Sequence, residues 1–214
     1  ALSDIGVFPD MPFNGQGINI GSMEEGIPNS SINYNLNSNN CYGTTTSSHA
    51  YETSSIAGGT SGIAPGANMF FSSITDNGVF DSLDWLIFDK SVNVINYSAG
   101  FDTSYSGKYS FKTDYFDYLV KETKVSIVVA VGNINKVSNV SQPATALNVI
   151  SVSSCEKKKK KAYHASTGVY DEYDNIIKKP TLLAPGDDLY GIPHVSDSLT
   201  GTSYATPMVT GIVA

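Results

Sequence analysis

The sequence predicts an α/β domain in which helices cover both faces of a mostly parallel central sheet. Along the 214 residues, segments with strand character alternate with segments whose apolar residues recur at helical spacing. That alternation is typical of parallel sheets, because two parallel strands need a crossover that is usually a helix. Functional side chains are therefore expected at the carboxyl ends of the strands, where such sheets form their active sites.

The strand segments are short and apolar. Residues 18–23 alternate in the manner of a strand that enters a buried sheet, whereas residues 125–131 form a continuous apolar run. A continuous run indicates burial on both faces of the sheet. The five predicted strands are residues 18–23, 67–74, 92–97, 125–131 and 148–153.

Helical patterns lie between these strands. In residues 80–89 the apolar positions are three or four apart, and residues 108–123 repeat that spacing with mostly aromatic side chains. Residues 49–56 carry small side chains along one face, which suits a short helix. A further helix is expected to begin near Ser203.

Composition narrows the class of protein. The length suits one domain, predicted here as residues 1–214, and the apolar pattern that stops at Ala214 indicates truncation at the carboxyl end. All 13 basic residues are lysine, and the net charge of −7 argues against nucleic acid as a partner.

No apolar run approaches the length of a membrane span. The sparse charge (15%) is more typical of secreted or cell-surface proteins.

The two cysteines predict no metal site. Cys41 and Cys155 lie far apart, without the close spacing of metal-binding pairs. They are expected to be either two unpaired thiols or one incidental disulfide.

Residues 201–207, Gly-Thr-Ser-Tyr-Ala-Thr-Pro, predict a nucleophile at the start of a helix. Gly201 allows a sharp turn before Ser203, and small residues follow at helix-compatible spacing. The positive end of the helix dipole favours negative charge that develops near the serine. A serine hydroxyl is a weak nucleophile until a base removes its proton, so Ser203 needs a histidine.

Three histidines could supply that base. His49 begins a segment of small residues that leads through glycines into residues 62–67, Gly-Ile-Ala-Pro-Gly-Ala. His164 follows a lysine run without such a context, and His194 lies in a polar loop. His49 is therefore the predicted base. Glu52, one helical turn beyond it, is expected to face solvent.

The chain resembles the subtilisin-like serine proteases, or subtilases, in five motifs that follow the family's order. They are the histidine motif, a substrate-pairing strand, a strand that ends in an oxyanion asparagine, the segment before the serine loop, and the serine motif itself. The matching segments are residues 49–67, 94–100, 128–133, 179–186 and 201–207. Together they cover most of residues 15–214, and the resemblance implies a subtilisin-like three-layer fold.

The resemblance also implies roles for individual residues. His49 would accept the Ser203 proton, and Asn133 would donate a hydrogen bond to the oxyanion of the tetrahedral intermediate. An extended peptide substrate would pair with one strand edge and rest against a second strand that forms a pocket wall. The edge residues are Ser98, Ala99 and Gly100, and the wall residues are Ala130, Val131 and Gly132.

The acid is where this sequence departs from the family pattern. The family's first strand normally ends in an aspartate two residues before a glycine, whereas Glu24 stands two before Gly26 here. A glutamate can orient His49 in the same way, although its extra methylene adds about 1.5 Å of reach. Strand alternation sends Glu25 to the opposite face.

These residues lead to one expected function and one alternative. The expected function is a serine endopeptidase with a Ser203–His49–Glu24 triad, and the alternative is an inactive domain of the same fold that binds peptides or proteins. A nucleotide-binding protein is disfavoured because the glycine-rich residues 58–62 lack the lysine and hydroxyl ending of a phosphate-binding loop. No cofactor is required. A propeptide and a stabilising calcium ion are possible, but no compact acidic loop places the ion.

Overall fold

A computed structural model describes residues 13–31, 33–34, 36–99, 107–134, 140–156, 160–172 and 175–214. Strands β1 to β5 are Asn19–Glu24, Ile27–Pro28, Cys41–Tyr42, Thr46–Ser47 and Asn68–Ser73; strands β6 to β11 are Val94–Tyr97, Ser126–Ala130, Ile150–Cys155, Gly168–Glu172, Asn175–Lys179 and Leu182–Pro185. Helices α1 to α4 are Ser48–Gly58, Ile74–Asp84, Phe111–Thr123 and Thr202–Val213. A π-helical turn, Trp85–Asp89, continues α2.

Seven strands form one parallel sheet in the order β11-β8-β7-β6-β1-β5-β3. Met23 of β1 pairs with Tyr97 of β6, which in turn pairs with Val129 of β7. The carboxyl ends of these three central strands therefore meet at one edge of the sheet. The remaining strands form two separate pairs, β2 with β4 and β9 with β10.

Strand alternation divides the core into two layers, one on each face of the sheet. One cluster packs the sheet against α2, the π-helical turn and α3, and includes Met23, Leu86, Ile95, Phe116 and Val129. The other packs it against α1 and α4, and includes Ile20, Ile56, Val94, Val128 and Val209. The protein therefore has three layers, helix–sheet–helix, as predicted.

Buried polar side chains fix α1 and α4 on their face of the sheet. The hydroxyl of Ser54 in α1 donates to the hydroxyl of Ser22 in β1 at 2.8 Å. The hydroxyl of Thr210 in α4 donates to the side-chain oxygen of Asn96 in β6 at 3.2 Å. A buried polar group is costly unless it is paired, so these bonds favour one register of each helix on the sheet.

The five strands predicted from the sequence are confirmed, with bounds that shift by at most two residues. The helix expected at 80–89 is preceded by a short helical segment that begins at Ile74, where the Ser73 side chain accepts a bond from the Asp76 amide; Gly78, with a φ of +75°, forms a kink between the two. No disulfide joins Cys41 in β3 to Cys155 in β8, two positions inside the described residues. Across the described ranges, no helix is both long and apolar enough to cross a membrane.

Candidate active site

The last residue of β1 and the first turn of α1 bring a carboxylate and an imidazole together. Glu24 ends β1 and is 1% exposed. Ser47 caps α1 by accepting a bond from the Ala50 amide, which begins the helix just before His49. The distance between His49 Nδ1 and Glu24 Oε2 is 3.1 Å. This contact occupies Nδ1, so Nε2 is the ring nitrogen that is left to exchange a proton on the side of the site where a substrate would bind.

A threonine holds the other oxygen of the same carboxylate. The hydroxyl of Thr53, which is fully buried, donates to Glu24 Oε1 at 2.8 Å. Thr53 lies four residues after His49, so both side chains project from one face of α1. The sequence interpretation did not include Thr53, although this spacing was a signal that could have identified it.

The environment of His49 raises its pKa above the usual 6.5. Burial acts in the opposite direction and is the largest single influence, since it disfavours the charged ring. The hydrogen bond from His49 to Glu24 and the charges of Glu24, Glu52 and Glu25 raise the pKa, and together they outweigh the effect of burial. The imidazolium that forms when His49 takes a proton is thus stabilised by carboxylates.

The expectation that Glu52 faces solvent was wrong. Glu52 is half-buried, and its Oε2 accepts a hydrogen bond from the Tyr204 hydroxyl at 2.8 Å. The Tyr204 ring lies 5.4 Å from the His49 ring, centroid to centroid, at 55°. Tyr204 follows Ser203 directly, so this contact places the beginning of the serine helix beside the histidine.

Ser203 occupies the first turn of α4, as predicted. Its hydroxyl donates to the main-chain oxygen of Ser98 at 3.0 Å, rather than to His49. In return, the hydroxyl of Ser98 donates to the main-chain oxygen of Ser203 at 2.9 Å. Asn96 Nδ2 supports Ser98 by donating to its hydroxyl at 3.0 Å. Directly after β6, the first residue of the predicted substrate edge is thus joined to the serine helix.

Asn133 lies next to the same helix N-terminus. The amide of Thr202 donates to Asn133 Oδ1 at 2.9 Å, and the amide of Gly132 donates to the Thr202 hydroxyl at 3.2 Å. These bonds turn the acceptor side of Asn133 towards α4. In the described part of the chain Asn133 Nδ2 makes no hydrogen bond, and Asn133 is exposed, so this donor is available to a ligand.

Gly132 is required by its conformation and by its surroundings. Its φ is +95°, and a Cβ at this position would lie 2.3 Å from the Ser141 hydroxyl oxygen. A side chain there would strain the backbone at this φ and would force the Ser141 hydroxyl to move.

The remaining residues that were predicted to bind substrate differ in how deeply they are buried. Ala99 is half-buried, and Gly100 lies outside the described residues. Ala130 is 5% exposed, while Val131 is fully buried in the cluster on the α2–α3 face. The role of Ala130, Val131 and Gly132 as a pocket wall stays a prediction.

The other two histidines lie elsewhere. His164 Nε2 is 3.0 Å from the fully buried Ser154 hydroxyl, and its Nδ1 is 3.4 Å from Asp187. This is a structural link between β8 and the segment after β11, since Ser154 is closed to solvent. His194 is exposed. His49 is therefore the histidine that meets both the predicted acid and the serine helix.

Within the residues that the structure describes, no three side chains of His, Cys, Asp or Glu type converge as metal ligands would.

Comparison with known proteins gives the family of the chain. The model of the subtilase family matches residues 15–214. The chain is 28% identical to alkaline protease 1 of Aspergillus oryzae, over 73% of this chain and 39% of that protein. It is 27% identical to subtilisin-like protease 3 of Arthroderma benhamiae, over 94% and 52% respectively. The chain thus spans about two fifths to one half of the curated relatives that it matches.

Solved structures show the same fold. The prenylagaramide maturation protease PagA superposes with a TM-score of 0.73 at 25% identity, covering 92% of this chain and 74% of that one. A cold-adapted subtilisin-like serine proteinase gives a TM-score of 0.67 at 21% identity, covering 94% and 75%. Together with the family match over residues 15–214 and the site geometry, these likenesses identify the chain as a member of the subtilase family.

Proposed function

We propose that this chain is the catalytic domain of a serine endopeptidase with a Ser203–His49–Glu24 triad. The observation that carries the proposal is the 3.1 Å contact between His49 Nδ1 and buried Glu24, beside the N-terminus of the helix that bears Ser203. That arrangement supplies a nucleophile, a base and a group that orients the base.

Acyl transfer would begin at Ser203. His49 Nε2 takes the hydroxyl proton while Oγ attacks the scissile carbonyl carbon, and the negative charge moves to the carbonyl oxygen. Asn133 Nδ2 and the Ser203 amide donate to that oxygen; the amide is one of the first helical N–H groups, which have no partner within the helix. His49 then gives the proton to the leaving amine, and water releases the acyl group by the reverse sequence.

The hydrogen bond from Ser203 to Ser98 belongs to the resting state in this account. A rotation about the Cα–Cβ bond of Ser203 transfers the hydroxyl from the Ser98 oxygen to His49. An extended peptide that pairs with this edge would present an N–H to the Ser98 oxygen and so compete with the hydroxyl for it. Substrate binding therefore favours the reactive orientation.

Glu24 can take the place of an aspartate because both oxygens of its longer side chain have a partner. One carboxylate oxygen contacts His49, and the other is held by Thr53. These contacts favour the active enzyme over the alternative of an inactive peptide-binding domain. In an inactive domain, nothing would require Glu24 to keep its contacts with both His49 and Thr53.

The substrate would be a polypeptide in extended conformation, and the protein is proposed to act outside the cell or at its surface. Two features support the location: the sparse charge of 15% and the relatives named alkaline proteases. A propeptide remains part of the proposal by resemblance alone.

The test is hydrolysis of an unstructured peptide by the full-length protein, with Ser203→Ala as the inactive control. Asn133→Ala should retain binding but lose about 100- to 1,000-fold in kcat, the range seen when one such donor is removed in a subtilisin. If the wild-type protein folds and binds peptide but hydrolyses none of it under any condition, the inactive alternative is correct.

A further inference from the structure

Two side chains outside the triad hold the catalytic histidine from its exposed side. Tyr204 packs its ring against the His49 ring at a centroid distance of 5.4 Å. Its hydroxyl is fixed 2.8 Å from Glu52 Oε2, across the junction of α4 and α1. Glu52 lies three residues after His49, so the carboxylate and the imidazole share one face of α1.

We propose that Tyr204 and Glu52 form a positioning pair for His49, in which Glu52 fixes the tyrosine ring and the ring limits the movement of the imidazole. The proposal rests on His49 acting as the base of the proposed peptidase. Neither residue touches the reacting atoms; both act through His49.

The need for such a pair follows from the exposure of the histidine. The His49 side chain is 37% exposed, whereas the Glu24 side chain is 2% exposed. Glu24 restrains the imidazole at Nδ1 only, so rotation about that contact would move Nε2 away from Ser203. A ring packed against the imidazole opposes this rotation, and a displacement of about 1 Å can cost about 100-fold in rate.

The tyrosine is suited to remain a hydrogen-bond donor. Burial raises its pKa far above the ordinary value of 10, and the bond to Glu52 raises it further. The hydroxyl therefore stays protonated over the pH range in which a serine peptidase works, and the bond to Glu52 persists.

Glu52 has a second, electrostatic effect on the same histidine. Among the described residues, four titratable groups contact His49 or act on it through their charge: Glu24 from β1, Glu25 after that strand, Glu52 from α1 and Tyr204 from α4. The carboxylate of Glu52 favours the imidazolium and raises the pKa of His49, after the larger contribution from Glu24. Removing this charge should therefore lower the pKa of His49.

Two variants separate the mechanical effect from the electrostatic one. Glu52→Gln keeps an acceptor for the Tyr204 hydroxyl and removes the charge, so the pKa of His49 followed by NMR should fall. Tyr204→Phe keeps the ring and removes its anchor, so kcat should fall about tenfold with KM unchanged, in line with small displacements of a catalytic group.

Matched controls lie on the opposite face of the sheet. Glu122→Gln and Tyr118→Phe make the same chemical changes at exposed positions of α3, and should change neither the pKa of His49 nor kcat. Thermal unfolding confirms that each variant is folded. The NMR titration needs no activity, so a wild-type protein without peptidase activity would refute the proposed function and leave the pKa test of Glu52→Gln intact.

The proposal requires both effects. An unchanged pKa of His49 in folded Glu52→Gln overturns it, and so does an unchanged kcat in folded Tyr204→Phe. A change in the thermal midpoint alone would mean that the pair only joins α1 to α4.

Discussion

At the scale of single residues, the chemistry depends on the two oxygens of one carboxylate, each of which contacts a different residue. Glu24 gives one oxygen to His49 and the other to Thr53. The first contact sets the tautomer and the pKa of the base, and the second sets where the carboxylate lies. A glutamate in place of aspartate is tolerable only if both contacts are present, because its extra torsion angle has to be fixed.

Replacing Glu24 by glutamine should lower kcat and shift the acid limb of the pH profile. His49 acts as a base only when neutral, and its pKa lies above 6.5, so activity rises as the pH increases through that value. Glu24→Gln removes the largest influence that raises this pKa, while burial still lowers it. The acid limb of kcat/KM should therefore move to lower pH, with a loss in kcat of about 10,000-fold, as is known for amide replacement of a triad acid.

Unchanged hydrolysis and an unchanged acid limb in folded Glu24→Gln would show that Glu24 is not the partner of His49. Glu25→Gln serves as the control, since the neighbouring carboxylate is exposed and contributes less to the pKa of His49.

Thr53→Val should reduce kcat/KM about tenfold or more. Valine has nearly the same shape but leaves Glu24 Oε1 without its donor, and a hydrogen bond to a charged group is worth about 1.5–3 kcal/mol. Steady-state kinetics on a peptide substrate measures the loss. Thr53→Ser, which keeps the hydroxyl, should recover most of the activity; equal losses in the two variants would mean that packing, and not the hydrogen bond, supports Glu24.

At the scale of elements, the site is assembled from the ends of β1, β6 and β7 and from the beginnings of α1 and α4. The sequence predicted this arrangement well, because strand periodicity, glycine positions and small residues are local signals. It did not predict the pair Tyr204–Glu52, which depends on how each of the two helices is rotated about its own axis, and it overlooked the pair Thr53–Glu24 although the spacing of Thr53 and His49 indicated it. Strands β2, β3, β4, β9, β10 and β11 were also missed. The first three have only two residues each, too few for a pattern to emerge.

The turn at Gly132 should be intolerant of a side chain. Gly132→Ala places a Cβ 2.3 Å from the Ser141 hydroxyl oxygen at a φ of +95°. Gly191 has a similar φ of +98° with nothing within 4 Å, so Gly191→Ala introduces the backbone strain without the clash. We expect Gly132→Ala to be the more destabilising of the two by about 1–3 kcal/mol in denaturant unfolding, and to lose activity because Asn133 moves. Equal stabilities would mean that the surrounding turn relaxes.

At the scale of the whole molecule, stability comes from two apolar layers on a sheet that is itself buried. The larger side chains lie on the α2–α3 face, where Phe116 and Tyr97 pack edge to face at a centroid distance of 5.8 Å. The other face mixes apolar packing with buried hydroxyl and amide pairs that position α1 and α4. One layer thus supplies much of the packing energy, and the other also sets the geometry of the site.

Phe116→Ala should cost about 3–5 kcal/mol of unfolding free energy, since it empties a fully buried position. Phe111→Ala is the matched control on the same helix, because Phe111 is 73% exposed and should lose less than about 1 kcal/mol. Urea unfolding of both variants measures the difference. Similar losses would contradict the division between a buried and an exposed face of α3.

The central claim is that Ser203 is a nucleophile activated by His49 and Glu24, and covalent labelling tests it most directly. The full-length protein is treated with a fluorophosphonate, and the adduct is located by peptide mass spectrometry in the wild type, Ser203→Ala and Glu24→Gln. The account predicts one adduct, on Ser203, absent from Ser203→Ala and formed far more slowly in Glu24→Gln. A folded wild-type protein without an adduct, or an adduct on a different residue, would contradict it.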